Sequence, residues 1–167
     1  MKASLGVATL LGGSLVGAQN AQAYTVKRTE TGNPIRWNTP VVSFRLDPAA
    51  AAVLPESVIR DALTTSTEAW RGLPNTPDIL LREGAPGDRG YSDRTDNGIY
   101  IAETWPLAEQ RLAVTISTYE TRSGRMVDAD ILVNGEFPFH VLDESDPERT
   151  HFDLSGVLTH EFGHVLG

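Results

Sequence analysis

The residues of this chain best suited to chemistry stand together near its C-terminal end. His160, Glu161 and His164 form the pattern H-E-x-x-H. On a helix, residues four apart lie one above the other, so both imidazoles can reach a single metal ion. Zinc accepts such paired nitrogen donors, and the glutamate between them can approach a zinc-activated water without being a ligand. The spacing therefore predicts a zinc site in which Glu161 acts as general base.

The composition restricts the other ligands and the partners. The 167 residues contain no cysteine, so any metal must be held by His, Asp or Glu. Lys and Arg number 14 against 22 Asp and Glu, for a net charge of −8. Because phosphate binding needs clustered basic residues, we expect no nucleic-acid partner. The hydrophobic fraction of 40% is typical of a globular protein with a core.

The neighbours of the motif predict a helix that is buried on most of its surface. Asp153 is a suitable N-cap, and the helix is expected to run from about Leu154 to Leu166. Apolar side chains surround the histidines at positions 157, 158, 162, 165 and 166. We expect His160 and His164 to face the same way, into a cleft beneath the strand at 113–115.

The preceding segments are predicted to be mostly strands. Alternating side chains predict a first strand between Arg36 and Asp47, beginning near Pro40. An apolar stripe after Pro55 predicts a helix that ends by Gly72. Further strands are predicted at 77–82, 99–101, 113–119 and 126–133, and a Gly- and Asp-rich loop at 84–98. Successive strands are expected to pair as a meander.

The N-terminal segment predicts export from the cell. Lys2 precedes an apolar run from Leu5 to Val16, and 21–23 read A-Q-A, a pattern typical of a secretory signal peptide. The run is too short for a membrane anchor. We therefore predict a signal peptide at 1–23, a lead-in at 24–35 and one domain at 36–167, secreted and with no membrane anchor after cleavage.

The sequence HEFGHVLG resembles the opening of the metzincin motif H-E-x-x-H-x-x-G-x-x-H in its matrixin form. The segments PDILLR, LAVT and VDADILVN stand in the matrixin order, and the resemblance extends over 36–167. It implies an α+β metzincin-like catalytic domain, with a twisted mixed sheet of about five strands, an early helix and a C-terminal active-site helix. The lower subdomain of that fold would be missing.

The same resemblance implies a secreted zinc endopeptidase of the bacterial matrixin type, whose partner is a peptide or protein substrate. The third zinc ligand is expected beyond Gly167, at position 170, so this chain by itself is expected to bind zinc weakly and to be inactive. Ala113, Val114 and Thr115 would pair with an extended substrate if 112–117 is an edge strand. An ordinary interior strand is equally compatible with the sequence.

Two other functional interpretations remain open. One is a non-catalytic secreted binding module, or an inactive fragment, with a partial metal site. The other keeps the peptidase activity but takes a glutamate ligand from a later helix, as in thermolysin-like proteases, and Gly167 argues against it. The oligomeric state is not predicted.

Several further polar residues are candidate metal ligands. Acidic clusters at Asp88, Asp93 and Asp96, or at 143, 144 and 146, could hold calcium, although solvated loops are favoured. The resemblance implies no structural zinc, because the loop that corresponds to the family's H-G-D loop has Gly87 and Asp88 without the preceding histidine. We expect neither His140 nor His151 to be a metal ligand, since neither has helical spacing to the motif. Asp128 and Asp130 are expected to be solvent-exposed.

Overall fold

A computed structural model describes residues 27–87, 90–92, 96–140 and 151–167, together with the backbone of 5–10. The strands and helices are β1 (Leu5–Leu10), β2 (Val41–Leu46), α1 (Glu56–Glu68), β3 (Asp78–Arg82), β4 (Gly98–Ala102), β5 (Ala113–Glu120), β6 (Met126–Asn134), β7 (Phe139–His140), β8 (Phe152–Asp153) and α2 (Leu154–Leu166). Short 3-10 turns lie at Pro48–Ala52 and Gly90–Ser92. The predicted α+β class and the predicted strand and helix positions are confirmed. Within the described residues, no helix has the length and apolar character needed to cross a membrane.

The main sheet is mixed, with strand order β1-β5-β6-β4-β2-β3. β5 and β6 form an antiparallel hairpin, and β1 pairs antiparallel with β5. In contrast, β2 is parallel to both β3 and β4, and β4 is parallel to β6. The predicted meander is therefore wrong outside the β5–β6 hairpin. Parallel neighbours need crossover connections, and α1 supplies the one between β2 and β3.

Both helices pack on one face of the sheet and share a single core. Phe44 of β2 and Phe162 of α2 are fully buried, and their rings meet edge to face with centroids 5.5 Å apart. Ile59 and Leu63 of α1 belong to the same cluster. On the other face of the sheet, a smaller cluster forms around Tyr100, Trp105, Val114 and Leu132. The α2 helix is therefore enclosed by apolar side chains on the side that meets the sheet.

Two tryptophans donate hydrogen bonds to main-chain carbonyls of α2. The indole Nε1 of Trp37 donates to the carbonyl of Val165 at 2.7 Å, and that of Trp70 donates to the carbonyl of Thr159 at 2.9 Å. The last four carbonyls of a helix have no partner within the helix, so Trp37 satisfies one of them. At the other end, the Asp153 carboxylate accepts from the amides of Ser155 and Gly156, as the predicted N-cap requires.

The lead-in segment packs against the C-terminal end of α2. The amide of Ile35 donates to the carbonyl of Lys27 at 2.7 Å, closing a loop that also holds the Arg28–Pro34 bridge. Gly167, directly after α2, has φ +110°, and a Cβ there would lie 2.3 Å from the carbonyl oxygen of Ile35. Only glycine combines this backbone angle with so close an approach.

We predict that Gly163→Val destabilises the fold by about 1–3 kcal/mol through overpacking. A Cβ at Gly163 would already lie 3.0 Å from Cζ2 of Trp70, so a branched side chain must displace the indole. Urea unfolding measures the loss. In a double-mutant cycle with Trp70→Leu, the second substitution should cost less in the Gly163→Val background than in the wild type. Simple additivity of the two losses would contradict the proposed clash.

Candidate metal and catalytic site

His160 and His164 lie side by side on the face of α2. Their Nε2 atoms are 3.1 Å apart, and the ring centroids are 4.6 Å apart. His160 is exposed and His164 is half-buried. The prediction that both imidazoles face the same direction is confirmed.

This separation fits two ligands of one zinc ion. With Zn–N bonds of 2.0–2.1 Å and a tetrahedral angle, two coordinating nitrogens stand about 3.3 Å apart. The observed 3.1 Å is close to that value. Among the residues that the structure describes, no group of three or more His, Asp or Glu side chains is arranged to hold a metal. Within the described residues, the candidate zinc ligands are therefore the imidazoles of His160 and His164.

Glu161 lies between the histidines in sequence but points into the protein. Its side chain is 2% exposed, and the hydroxyl Oγ1 of Thr115 lies 2.7 Å from its Oε2 and 3.1 Å from its carbonyl oxygen. Burial raises the pKa of Glu161, while the Thr115 hydrogen bond, His160 and Lys27 oppose the rise. The carboxyl is thus oriented by β5 and made more basic than an exposed glutamate.

Lys27 is a component of the site that sequence reasoning missed. Burial lowers the pKa of its ammonium to about 8, and the charge of Glu161 acts in the opposite direction. The same lysine also contributes to the lowered pKa of His164. No sequence motif links a lysine in the lead-in to the distant α2 helix, so this electrostatic interaction arises from the tertiary fold.

His164 is held in the protonation state that metal binding requires. Burial, followed by the positive charges of Lys27 and His160, lowers its pKa to about 4. A neutral imidazole has a free lone pair, so metal binding at neutral pH need not displace a proton from this residue.

The predicted substrate-binding strand is interior in the described sheet, where β5 lies between β1 and β6. Ala113, Val114 and Thr115 open β5, and β6 pairs along its inner side. On its outer side, β1 pairs antiparallel with residues 115–120, and Leu10 lies opposite Thr115. Ala113 and Val114 lie beyond the last pair of that ladder. The outer side of β5 is therefore covered by β1 from Thr115 onward, and Thr115 is the residue that hydrogen-bonds Glu161.

The expectation that Asp128 and Asp130 are solvent-exposed is wrong. Their side chains are 2% and 1% exposed, because β6 is a central strand covered on both faces. Oδ1 of Asp130 accepts from the amide of Gly98 at 2.8 Å. This carboxylate therefore fixes the start of β4 and has a structural role.

Of the other candidate ligands that the structure describes, none joins the His160–His164 pair in a group of three. Asp96 forms an ion pair with Arg45 at 3.0 Å; Asp88, Asp93 and 141–150, where the remaining calcium candidates lie, are outside the described residues. His140 and His151 are neighbours, with ring centroids 5.8 Å apart, at the small β7–β8 sheet. The calcium hypothesis accordingly stays untested.

We predict that Thr115→Val raises the pKa of Glu161 further, because the carboxylate loses the hydrogen bond that favours its charged form. The titration of the Glu161 carboxyl by carbon NMR in metal-free protein measures the shift. Thr115→Ser keeps the hydroxyl and serves as the matched control, with a pKa near that of the wild type. An unchanged pKa in Thr115→Val would contradict the role given to this hydrogen bond.

We predict that His164 makes the metal-free fold less stable as the pH falls from 6.5 toward 4. In that window the unfolded chain binds a proton at this histidine and the folded chain does not, so protonation favours unfolding. Urea unfolding with a chelator at several pH values should show a weaker pH dependence in His164→Gln. An NMR titration midpoint of His164 near 6.5 would refute the prediction.

The comparisons with family models and with curated proteins found no relative of this chain. No model of a known protein family matches the chain, and no curated protein matches it either. The resemblance to matrixins therefore rests on the motif and on the order of the strand sequences.

Proposed function

We propose that the chain carries the catalytic site of a secreted, zinc-dependent endopeptidase of the matrixin type. One observation carries this proposal. The imidazoles of His160 and His164 lie on one face of α2 at the separation of two zinc ligands. The buried carboxyl of Glu161 is hydrogen-bonded to Thr115 of β5. This arrangement combines a metal site, a base and a surface for an extended chain.

His160 and His164 would hold the ion, and a further ligand would come from outside the described residues. When bound, zinc supplies Lewis-acid activation of a water and of the scissile carbonyl. Glu161 takes the proton of the attacking water and passes it to the leaving amine. Its raised pKa brings it closer to the operating pH, where one group can both accept and donate a proton.

The outer edge of β5 is the proposed substrate surface. The antiparallel pairing of Leu5–Leu10 along residues 115–120 supports it, because an extended segment already fits that edge through main-chain hydrogen bonds. A substrate that continued this ladder past Thr115 would reach Ala113 and Val114, next to Glu161. Removal of the leader at 1–23 on export would leave the edge open for a peptide.

A non-catalytic binding module with a metal-stabilised helix is the alternative. The observation that favours it is that the described residues provide two imidazoles and no group of three metal ligands. The two functions differ in what zinc does. In a peptidase the ion serves bond cleavage, whereas in the module it affects only stability and binding.

We predict that Glu161→Gln lowers peptide hydrolysis by roughly 100-fold or more and leaves zinc bound. The amide keeps the size of the side chain but cannot accept the proton of water. The assay is cleavage of a quenched fluorescent peptide library by the encoded, exported protein, with zinc content measured by mass spectrometry. Glu103→Gln, an exposed glutamate outside the site, is the matched control and should retain full activity.

The results separate the two candidates. Hydrolysis that depends on Glu161 supports the peptidase. Zinc retention with no hydrolysis in the wild type, together with a lower unfolding temperature after zinc removal, supports the binding module. Hydrolysis unchanged in Glu161→Gln would remove this residue from the role of general base.

A further inference from the structure

One edge of the sheet is formed by β3, at the far end of the strand order from β1. Among the described residues, β2 pairs with one side of β3 and no strand pairs with the other. Leu80 is 44% exposed and Leu81 is 36% exposed. Exposed apolar edge strands can pair with another chain, and most proteins carry features that prevent such pairing. This edge is therefore a candidate interface.

The register against β2 determines which backbone groups point outward. The amide of Asp78 donates to the carbonyl of Pro40 at 2.9 Å, and the pairing is parallel. Since strand residues alternate, Asp78, Leu80 and Arg82 direct their amides and carbonyls toward β2. Ile79 and Leu81 direct theirs away from it, at the free edge.

The sequence of β3 is self-complementary about Leu80. In an antiparallel pair of two D-I-L-L-R strands, Ile79 stands opposite Leu81 of the other copy, and these are the two residues with outward backbone groups. Leu80 meets its own counterpart on the two-fold axis. Asp78 then lies opposite Arg82, so each end of the ladder joins opposite charges.

We propose that β3 is a homodimer interface, in which two copies pair antiparallel through this strand and form one continuous sheet. A second copy is the occupant because hydrogen-bond register, apolar matching and charge all complement the strand itself. The contact is isologous, as a two-fold dimer requires.

The surroundings of β3 support the pairing on both faces of the sheet. On the helix side, Leu81 lines a cavity of about 400 Å³ together with Ile59 and Leu63 of α1, and Ile79 of the second copy would cover it there. On the opposite side, Nε of Arg82 donates to the hydroxyl of Ser43 at 2.8 Å, which keeps the guanidinium beside the sheet. The interface lies at the opposite edge from His160 and His164, so it is independent of the proposed function.

Charge-reversal variants test the proposed dimer. The measurement is sedimentation velocity of the full chain over a range of concentrations. Asp78→Arg and Arg82→Asp each place like charges opposite each other at both ends of the ladder. Each should raise the dimer dissociation constant by at least about tenfold, because both cross-strand charge pairs become repulsive. The double variant restores opposite charges and should regain the wild-type constant.

Mixing the two single variants is the sharper experiment. A heterodimer of Asp78→Arg with Arg82→Asp has opposite charges at both ends, so the mixture should dimerise more tightly than either variant alone. Arg122→Asp, an exposed arginine at the β5–β6 turn, is the control for net charge and should behave as wild type.

Hydrogen exchange of the wild type gives a readout that needs no variant. The amides of Ile79 and Leu81 should become more protected as protein concentration rises, because pairing satisfies them. A chain that stays monomeric at millimolar concentration would overturn the proposal. A dimer that responds to neither charge variant, or whose formation leaves these amides unprotected, would overturn it equally.

Discussion

The placement of α2 against the sheet is the constraint on which the rest of the site depends. Phe162 is buried against Phe44, and the helix therefore cannot rotate without exposing its largest apolar side chain. Two indoles hold its main-chain carbonyls, and Gly163 allows Trp70 to approach the helix closely. With the rotation of α2 fixed in this way, the histidines stay on the accessible side and Glu161 turns toward β5.

Burial and charge act together on the ionisable groups around α2. Loss of solvent raises the pKa of Glu161 and lowers those of His164 and Lys27. In each case burial is the largest cause, and neighbouring charges modify it. The result is a neutral imidazole suited to a metal and a carboxyl of raised basicity. The same groups on an exposed helix would keep their ordinary pKa values and lose both properties.

The outer sides of β5 and β3 differ in what covers them and in their sequence. At β5, an apolar N-terminal segment lies along residues 115–120, next to the residue that binds Glu161. At β3, the strand itself carries the complementary charges, one at each end. An open sheet has two edges because it does not close on itself, and here they are formed by β1 and β3.

The sequence by itself determined the local elements and the pair of facing imidazoles on α2. The bounds of α2, its Asp153 cap and the facing imidazoles follow from helical periodicity, and the strand positions follow from alternation, since both depend on neighbours along the chain. Only the tertiary structure decided the strand order, the burial of Asp128 and Asp130, and the electrostatic interaction of Lys27 with Glu161. These depend on which distant segments pack together, and the free energy of that packing is summed over the whole core, so no short motif encodes it.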